Sequence, residues 1–283
     1  MNYYIVIPAH NEEAFLTDML SSIVKQTLQA KKVVIVNDNS KDKTEAIIDQ
    51  FVTDYTIFQK CNSISASVHM PGSKVINAFN KGLALLDDEY DFIVKLDADL
   101  ILPENYFERI AELFNKNEKI GLAGGFVYEQ NKNGEWLLNH PMNKDHVRGA
   151  FKAYTKTCFK AIGGLKSSLG WDTVDELLAQ YYGFEVYTDT KLKVKHLRPL
   201  GKAYNAKAKY LQGKAFYVMR YGLAITFIAS LKRAVTERNS KILFNNITGY
   251  FKAKNAKESF IVNAEEGKFI RKLRWSKIRK RFF

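Results

Sequence analysis

Phe92-Ile93-Val94-Lys95-Leu96-Asp97-Ala98-Asp99 decides how this chain is read. The run from Phe92 to Leu96 has the apolar character of a strand at the centre of a sheet. Two carboxylates separated by one residue follow at its carboxyl end. Unpaired, such carboxylates repel, and one is pushed towards holding its proton. A hard divalent cation removes the conflict, and Mg2+ or Mn2+ typically combines one or two carboxylates with phosphate oxygens. Asp97 and Asp99 are therefore candidate metal ligands, although a solvated turn uses the same residue types.

Towards the N-terminus the same grammar repeats. Tyr3 to Ile7 is an apolar run, broken by Pro8-Ala9-His10-Asn11-Glu12-Glu13. A helical pattern follows, with Phe15, Met19, Ile23 and Val24 on one face. Val33 to Val36 is a continuous apolar run suited to a buried parallel strand, and it ends in Asn37-Asp38-Asn39-Ser40-Lys41-Asp42, all turn formers or charged. A helix from Thr44 to Phe51 then leads to a strand near Ile57. Strand, loop, helix, strand predicts an α/β domain with a mixed, mainly parallel sheet flanked by helices. Loops that follow parallel strands leave the sheet on one edge, and ligands bind there. The three polar loops should converge. Asp38 suits a base ring N–H or a ribose hydroxyl. Glu12 and backbone N–H groups of the first loop suit the opposite side of a nucleoside. Asn11 and Glu12 equally suit the N-terminus of a helix.

Towards the C-terminus, Gly72-Ser73-Lys74 opens a helix carrying Val75, Ile76, Phe79 and Leu83. Helices are predicted over 103–115, with Pro103 near the first turn, and over 173–182. Strands are predicted over 122–127 and 191–196. Residues 149–159 read ambiguously.

These motifs, in this order, resemble family 2 glycosyltransferases of the GT-A (Rossmann-like) fold. The family pattern of a strand ending in P-x-x-N-E stands here as Pro8-Ala9-His10-Asn11-Glu12. Its D-D-x-S-x-D stands as Asn37-Asp38-Asn39-Ser40-Lys41-Asp42, with Asn37 for the first Asp. Its D-x-D is Asp97-Ala98-Asp99, and its Gly/Lys stretch leading to Asn-x-Gly is Gly72-Ser73-Lys74 with Asn80-Lys81-Gly82. The likeness covers roughly residues 3 to 200. It implies a UDP-, GDP- or dTDP-sugar donor, an acceptor hydroxyl on a glycan or a lipid-linked glycan, and inversion at the anomeric carbon. Donor contacts are implied for Pro8, Ala9, Asn11, Glu12, Asp38, Lys74, Asn80, Asp97 and Ala98. Mn2+ or Mg2+ is implied at Asp97, Asp99 and His196. Arg198 and Lys202 are cations suited to the diphosphate. The family's catalytic base is an Asp near the start of a late helix. In Gly170-Trp171-Asp172-Thr173-Val174-Asp175-Glu176, spacing back from Gly183 favours Asp172; Asp175 or Glu176 would need a shift of about one helical turn. His10, His69, His140 and His146 receive no role.

Composition bounds the rest. The chain has 283 residues, 46% hydrophobic and 26% charged, which is globular rather than disordered. The net charge is +13, and from Gly201 onward 20 Lys and Arg face four acids. The basic character thus belongs to the C-terminal third, giving an expected division into a catalytic domain over 1–200 and a helical, basic region over 201–283. Aromatic, aliphatic and basic residues mix there, suggesting contact with a membrane surface, although a helical hairpin with a solvated basic face fits too. The apolar stretch from Gly222 to Leu231 is too short to span a bilayer. The N-terminus lacks signal-peptide features, and Cys61 and Cys158 have no metal or disulfide spacing. A cytoplasmic protein, peripheral on the membrane, is expected. Two rivals fit less well. A sugar-phosphate nucleotidyltransferase would carry a Gly-rich basic loop after the first strand. A nucleic-acid-binding protein would not need the tail's aliphatic stretch, so no nucleic-acid partner is expected.

Overall fold

The apolar runs become strands β1 (Tyr3–Ala9), β2 (Lys32–Asp38), β3 (Phe58–Ser63) and β4 (Phe92–Leu96), all mutually parallel in the order β3-β2-β1-β4. Tyr3 to Ile7, Val33 to Val36 and Phe92 to Val94 have no exposed surface. Burial on both faces is why these strands read as continuous apolar runs instead of alternating. Helices α1 (Leu16–Val24), α2 (Thr44–Asp54) and α3 (Ser73–Leu83) connect them. A Cβ on Gly82 of α3 would lie 2.6 Å from Val6 and 2.7 Å from Val36, so this helix sits directly on the sheet. The Tyr3 ring stacks on Phe92 at 4.8 Å and meets Phe107 at 4.6 Å. Phe107 belongs to α4 (Tyr106–Lys116). Tyr3 and Val6 point to opposite sides of β1, so α3 and α4 cover opposite faces.

The computed structural model describes residues 1–64, 72–139, 146–198 and 209–282. Contacts divide the chain into two compact units, Met1–Leu165 with Tyr182–Leu200, and Lys166–Tyr181 with Gly201–Phe283.

In the first unit the sheet continues past β4 through β8 (Phe151–Thr155), β6 (Ile120–Gln130), β9 (Glu185–His196) and the short β5 (Leu100–Ile101), with β7 (Trp136–Leu138) paired to β6. Here β8 runs antiparallel to both β4 and β6, while β6 and β9 are parallel. The sheet is mixed, as expected, with its purely parallel half at the N-terminus. The ambiguous stretch 149–159 resolves into β8 followed by α5 (Lys156–Ala161), capped by the Thr155 side chain. Helix α4 starts at Tyr106, three residues later than predicted, and Pro103 lies just ahead of its first turn, its carbonyl accepting from Tyr106 N–H at 3.0 Å. The closing strand β9 begins six residues earlier than its apolar pattern suggests, because its first half is largely exposed. Both cysteines are free thiols.

The second unit is helical: α6 (Trp171–Tyr181), α7 (Leu211–Val218), α8 (Leu223–Thr236), α9 (Lys241–Asn255) and α10 (Ala264–Phe282). Glycines let two backbones meet. A Cβ on Gly213 would lie 1.9 Å from the Asn246 carbonyl oxygen, and one on Gly249 would lie 2.1 Å from that of Tyr210. Among the described residues, no helix is long and apolar enough to cross a membrane.

Candidate active site

The parallel order β2-β1-β4 brings the three polar loops to one edge. They wall a cleft of 520 Å³ lined by Pro8, Ala9, His10, Glu12, Asp38, Lys74, Val75, Ala78, Asp97, Ala98, Asp99 and Arg198. Of the expected donor contacts, Pro8, Ala9, Glu12, Asp38, Lys74, Asp97 and Ala98 line it. Asn11 and Asn80 are exposed and are not among the lining residues. Asn11 instead joins the first two loops, its N–H donating to Ser40 Oγ at 3.1 Å and its Oδ1 accepting from Lys41 N–H at 2.8 Å. Asn11 and Asn39 both adopt left-handed backbone, with φ of 55° and 57°, a conformation Asn tolerates better than most residues.

Asp38 ends β2 nearly buried, accepting from Ser63 Oγ at 3.1 Å. The His10 ring lies 2.6 Å, through Nδ1, from the Asp38 carbonyl oxygen and ties the first loop to the second. Asn37, standing for the usual Asp, accepts from Ser40 N–H at 3.2 Å and so shapes the turn. Lys74 sits in the first turn of α3, just after Gly72 with φ of 81°.

At the floor, Asp97 and Asp99 have different surroundings. Lys95 is almost wholly buried; its ammonium pairs with the Asp97 carboxylate and donates to the Gly149 carbonyl at 2.9 Å. Burial and the neighbouring Asp99 push the Asp97 carboxyl up, against Lys95. Asp99 is also buried, which opposes its ionisation, but the His196 ring and Arg198 outweigh burial and hold it below the usual carboxylate range. Its Oδ2 lies 3.4 Å from His196 Nε2 and 3.3 Å from Arg198 Nε. Its Oδ1 is buried without a hydrogen-bond partner among the described residues.

Two pairings aim His196 at Asp99. Leu100 of β5 faces His196 across an antiparallel pair, and Leu197 N–H donates to the Asp99 carbonyl at 2.8 Å. In the β6–β9 ladder Glu129 faces His196, and its Oε1 lies 3.1 Å from His196 Nδ1. Burial disfavours the charged ring, but Asp99 and Glu129 together raise its pKa. Arg198 pairs with Glu12 as well as Asp99 and covers the Phe15 ring at 5.4 Å. Burial pushes the Glu12 carboxyl up to about 7, with Asp99 and Asp97 adding to it and Arg198 opposing.

Lys95, Glu129 and His10 were not singled out by the sequence reading. Lys95 left a signal, since a Lys two residues before Asp97 in a strand shares its face. Glu129 left none, because its place opposite His196 exists only in the β6–β9 register. Lys202, His69 and His140 lie outside the described residues. His146 accepts through its backbone carbonyl from Thr188 at 2.8 Å. Asp172 and Asp175 belong to the second unit. Asp172 lies inside the first turn of α6, not ahead of it, and is part-exposed, while Asp175 is 1% exposed. Among the described residues no cluster of three or more His, Cys, Asp or Glu is arranged to hold a metal by itself.

A mixed sheet whose N-terminal half is parallel and ends in a nucleotide-sized acidic cleft defines a GT-A-like α/β domain, and solved glycosyltransferases share it. The chain superposes on S. aureus TarS 1–349 in complex with UDP-GlcNAc with a TM-score of 0.59 and 17% identity, covering 94% of this chain and 77% of that one. It superposes on the mannosyltransferase PcManGT from Pyrobaculum calidifontis, in complex with GDP-Man and Mn2+, with a TM-score of 0.57 and 13% identity, covering 95% and 78%. The chain belongs to glycosyl transferase family 2, whose model matches residues 4–166. Among curated relatives, the minor teichoic acid biosynthesis protein GgaB of Bacillus subtilis (strain 168) is 29% identical over 150 residues, covering 52% of this chain. The chain spans only 16% of GgaB's length, and 36% and 29% of the next two relatives.

Proposed function

We propose that the protein moves a sugar from a UDP-, GDP- or dTDP-sugar to a hydroxyl of a glycan or lipid-linked acceptor, with inversion, in surface polysaccharide or glycolipid biosynthesis. The observation that carries the reading is the cleft where the loops after β1, β2 and β4 meet around Asp38, Asp97 and Asp99. The UDP-GlcNAc and GDP-Man complexes of the similar folds support the donor class.

Asp38 and Glu12 would hold the nucleoside, with Pro8, Ala9 and Ala98 as its close walls. The donor set at the floor fits a divalent cation. Among the described residues Asp99 Oδ1 is buried without a partner, three carboxylates crowd Arg198 and Lys95, and carboxylate oxygens suit Mn2+ and Mg2+. Asp99 and His196 would hold Mn2+ or Mg2+, with donor phosphates completing the shell. Asp97 is the lesser ligand because Lys95 already neutralises it. When bound, the cation would offset the charge that builds on the departing nucleoside diphosphate. Lys74 and Arg198 add positive charge beside the diphosphate. Asp172 would take the acceptor's proton as its oxygen forms the new bond to the anomeric carbon, opposite the departing diphosphate. The greater exposure of Asp172 favours it over Asp175. The acceptor is met at the cytoplasmic face of a membrane, on which the protein is peripheral.

A thermal-shift screen of nucleoside diphosphates and their sugars, with and without Mn2+, tests the donor class. A ligand at a hundred times its dissociation constant stabilises by about 2.7 kcal/mol. Asp99→Asn should remove the Mn2+-dependent part of the shift and lower turnover by about a hundredfold; undiminished metal-dependent turnover would refute the assignment. Release of pyrophosphate in place of a nucleoside diphosphate would indicate the nucleotidyltransferase reading.

A further inference from the structure

The helices of the second unit are amphipathic in an unusual sense. Leu223, Phe227, Leu231 and Val235 recur every four residues along α8, and they are 45%, 47%, 42% and 68% exposed. What α8 buries is Ile225, Thr226, Ser230 and Ala234. Its neighbour α9 does the same, burying Asn246, Gly249 and Ala253 and leaving Phe244 and Phe251 exposed. Asn246 Nδ2 donates to Ser230 Oγ at 3.1 Å, in the buried contact between them. A polar pair thus joins the two helices, and Leu223, Phe227, Leu231 and Val235 of α8 with Phe244 and Phe251 of α9 face outward. An ordinary soluble hairpin would bury the Leu and Phe stripes, since covering such side chains is favourable. Leu223, Ala224, Phe227 and Ile228 of α8 also form, with Ile247 and Phe251 of α9, an open groove lined by apolar side chains alone.

Charge selects the occupant. Exposed Lys232, Arg238, Lys241, Lys252 and Lys254 lie on and between the same two helices, within a region where 20 Lys and Arg face four acids. A second copy of this basic surface would repel the first, and a nucleic acid would leave the apolar groove uncovered. At 14 and 15 residues the helices cannot span a bilayer, but they can lie in its surface. We infer that the outward face of α8 and α9 seats in the interfacial layer of an anionic bilayer, with the Phe and Leu stripes among the acyl chains and the lysines among the headgroups. This deepens the membrane part of the proposed function and rests on it for its biological setting, though not for its physics.

The test is sedimentation of the full chain with vesicles of phosphatidylcholine alone or mixed with phosphatidylglycerol. The protein should pellet with the anionic vesicles and not with the neutral ones. Phe227→Glu with Leu231→Glu should weaken binding about a hundredfold, by about one factor of ten for each lost apolar contact. Lys232→Gln and Lys241→Gln should weaken it about fivefold each. All four positions are exposed, so circular dichroism and melting should be unchanged. Equal binding to neutral vesicles, or unaltered binding by the double Glu variant, would overturn the inference. So would a concentration-dependent dimer that the double Glu variant abolishes without any vesicle binding. Donor-induced thermal shift, measured in parallel, separates the two claims: vesicle binding lost with that shift intact removes only the docking face, and the reverse removes only the sugar-transfer reading.

Discussion

Replacing Glu129 tests whether the site is built to aim His196 at a metal. His196 Nδ1 lies 3.1 Å from Glu129 Oε1, and Nε2 faces Asp99. Their side chains are only 13% and 20% exposed, so water cannot easily replace the contact. A hydrogen bond to a charged group is worth about 1.5–3 kcal/mol. That corresponds to about 10–100-fold in an equilibrium constant, and loss of an outer partner of a metal-binding His typically weakens metal affinity by the same range. Glu129→Ala should therefore weaken Mn2+ binding in the presence of saturating UDP by about 30–100-fold. Glu129→Gln keeps an acceptor for Nδ1–H but not its charge, and should weaken it only about tenfold. Free Mn2+ counted by electron paramagnetic resonance gives both constants without any turnover. UDP affinity measured without metal should not move. Wild-type Mn2+ affinity in a folded Glu129→Ala protein would refute the reasoning, because His196 would then need no orienting carboxylate. Equal losses in Ala and Gln would also count against it, pointing to packing rather than charge.

Other outcomes follow from the same geometry. Asp172→Asn should lower transfer by about 10²–10⁴-fold while donor binding stays intact; if Asp175→Asn does this and Asp172→Asn does not, the base lies one turn further along α6. Lys95→Met should cost about 2–4 kcal/mol in urea unfolding, less than a fully buried pair because the Asp97 side chain is 33% exposed; a change below about 1 kcal/mol would mean that Asp97 does not depend on Lys95. Gly249→Ala must push Tyr210's backbone away from α9, and should lower unfolding stability by about 1–3 kcal/mol.

The residues alone carried the parallel half of the sheet a long way. Parallel strands buried on both faces must be apolar throughout, so β1, β2 and β4 stand out, and the polar loops that end them must share an edge. The cleft around Pro8, Glu12, Asp38, Lys74, Asp97 and Asp99 follows from that rule and from the family motifs. The division at residue 200 was drawn from charge, whereas contacts group residues 166–181, with Asp172 and Asp175, in the C-terminal unit. Pairing across distant strands was beyond the sequence. Glu129 meets His196 only through the β6–β9 register, and Arg198 meets Glu12 only because β9 returns towards the loop after β1. The tail shows the limit most plainly. Its composition announced helices, bases and aromatics, but which stripe of α8 turns inward depends on its neighbour. Gly249 of α9 admits the Tyr210 backbone, Asn246 of α9 holds Ser230 of α8, and the side of α8 with Thr226, Ser230 and Ala234 turns inward, leaving Phe227 and Leu231 outside. Local periodicity can say that a helix has two faces; only the shape of what packs against it decides which one is buried.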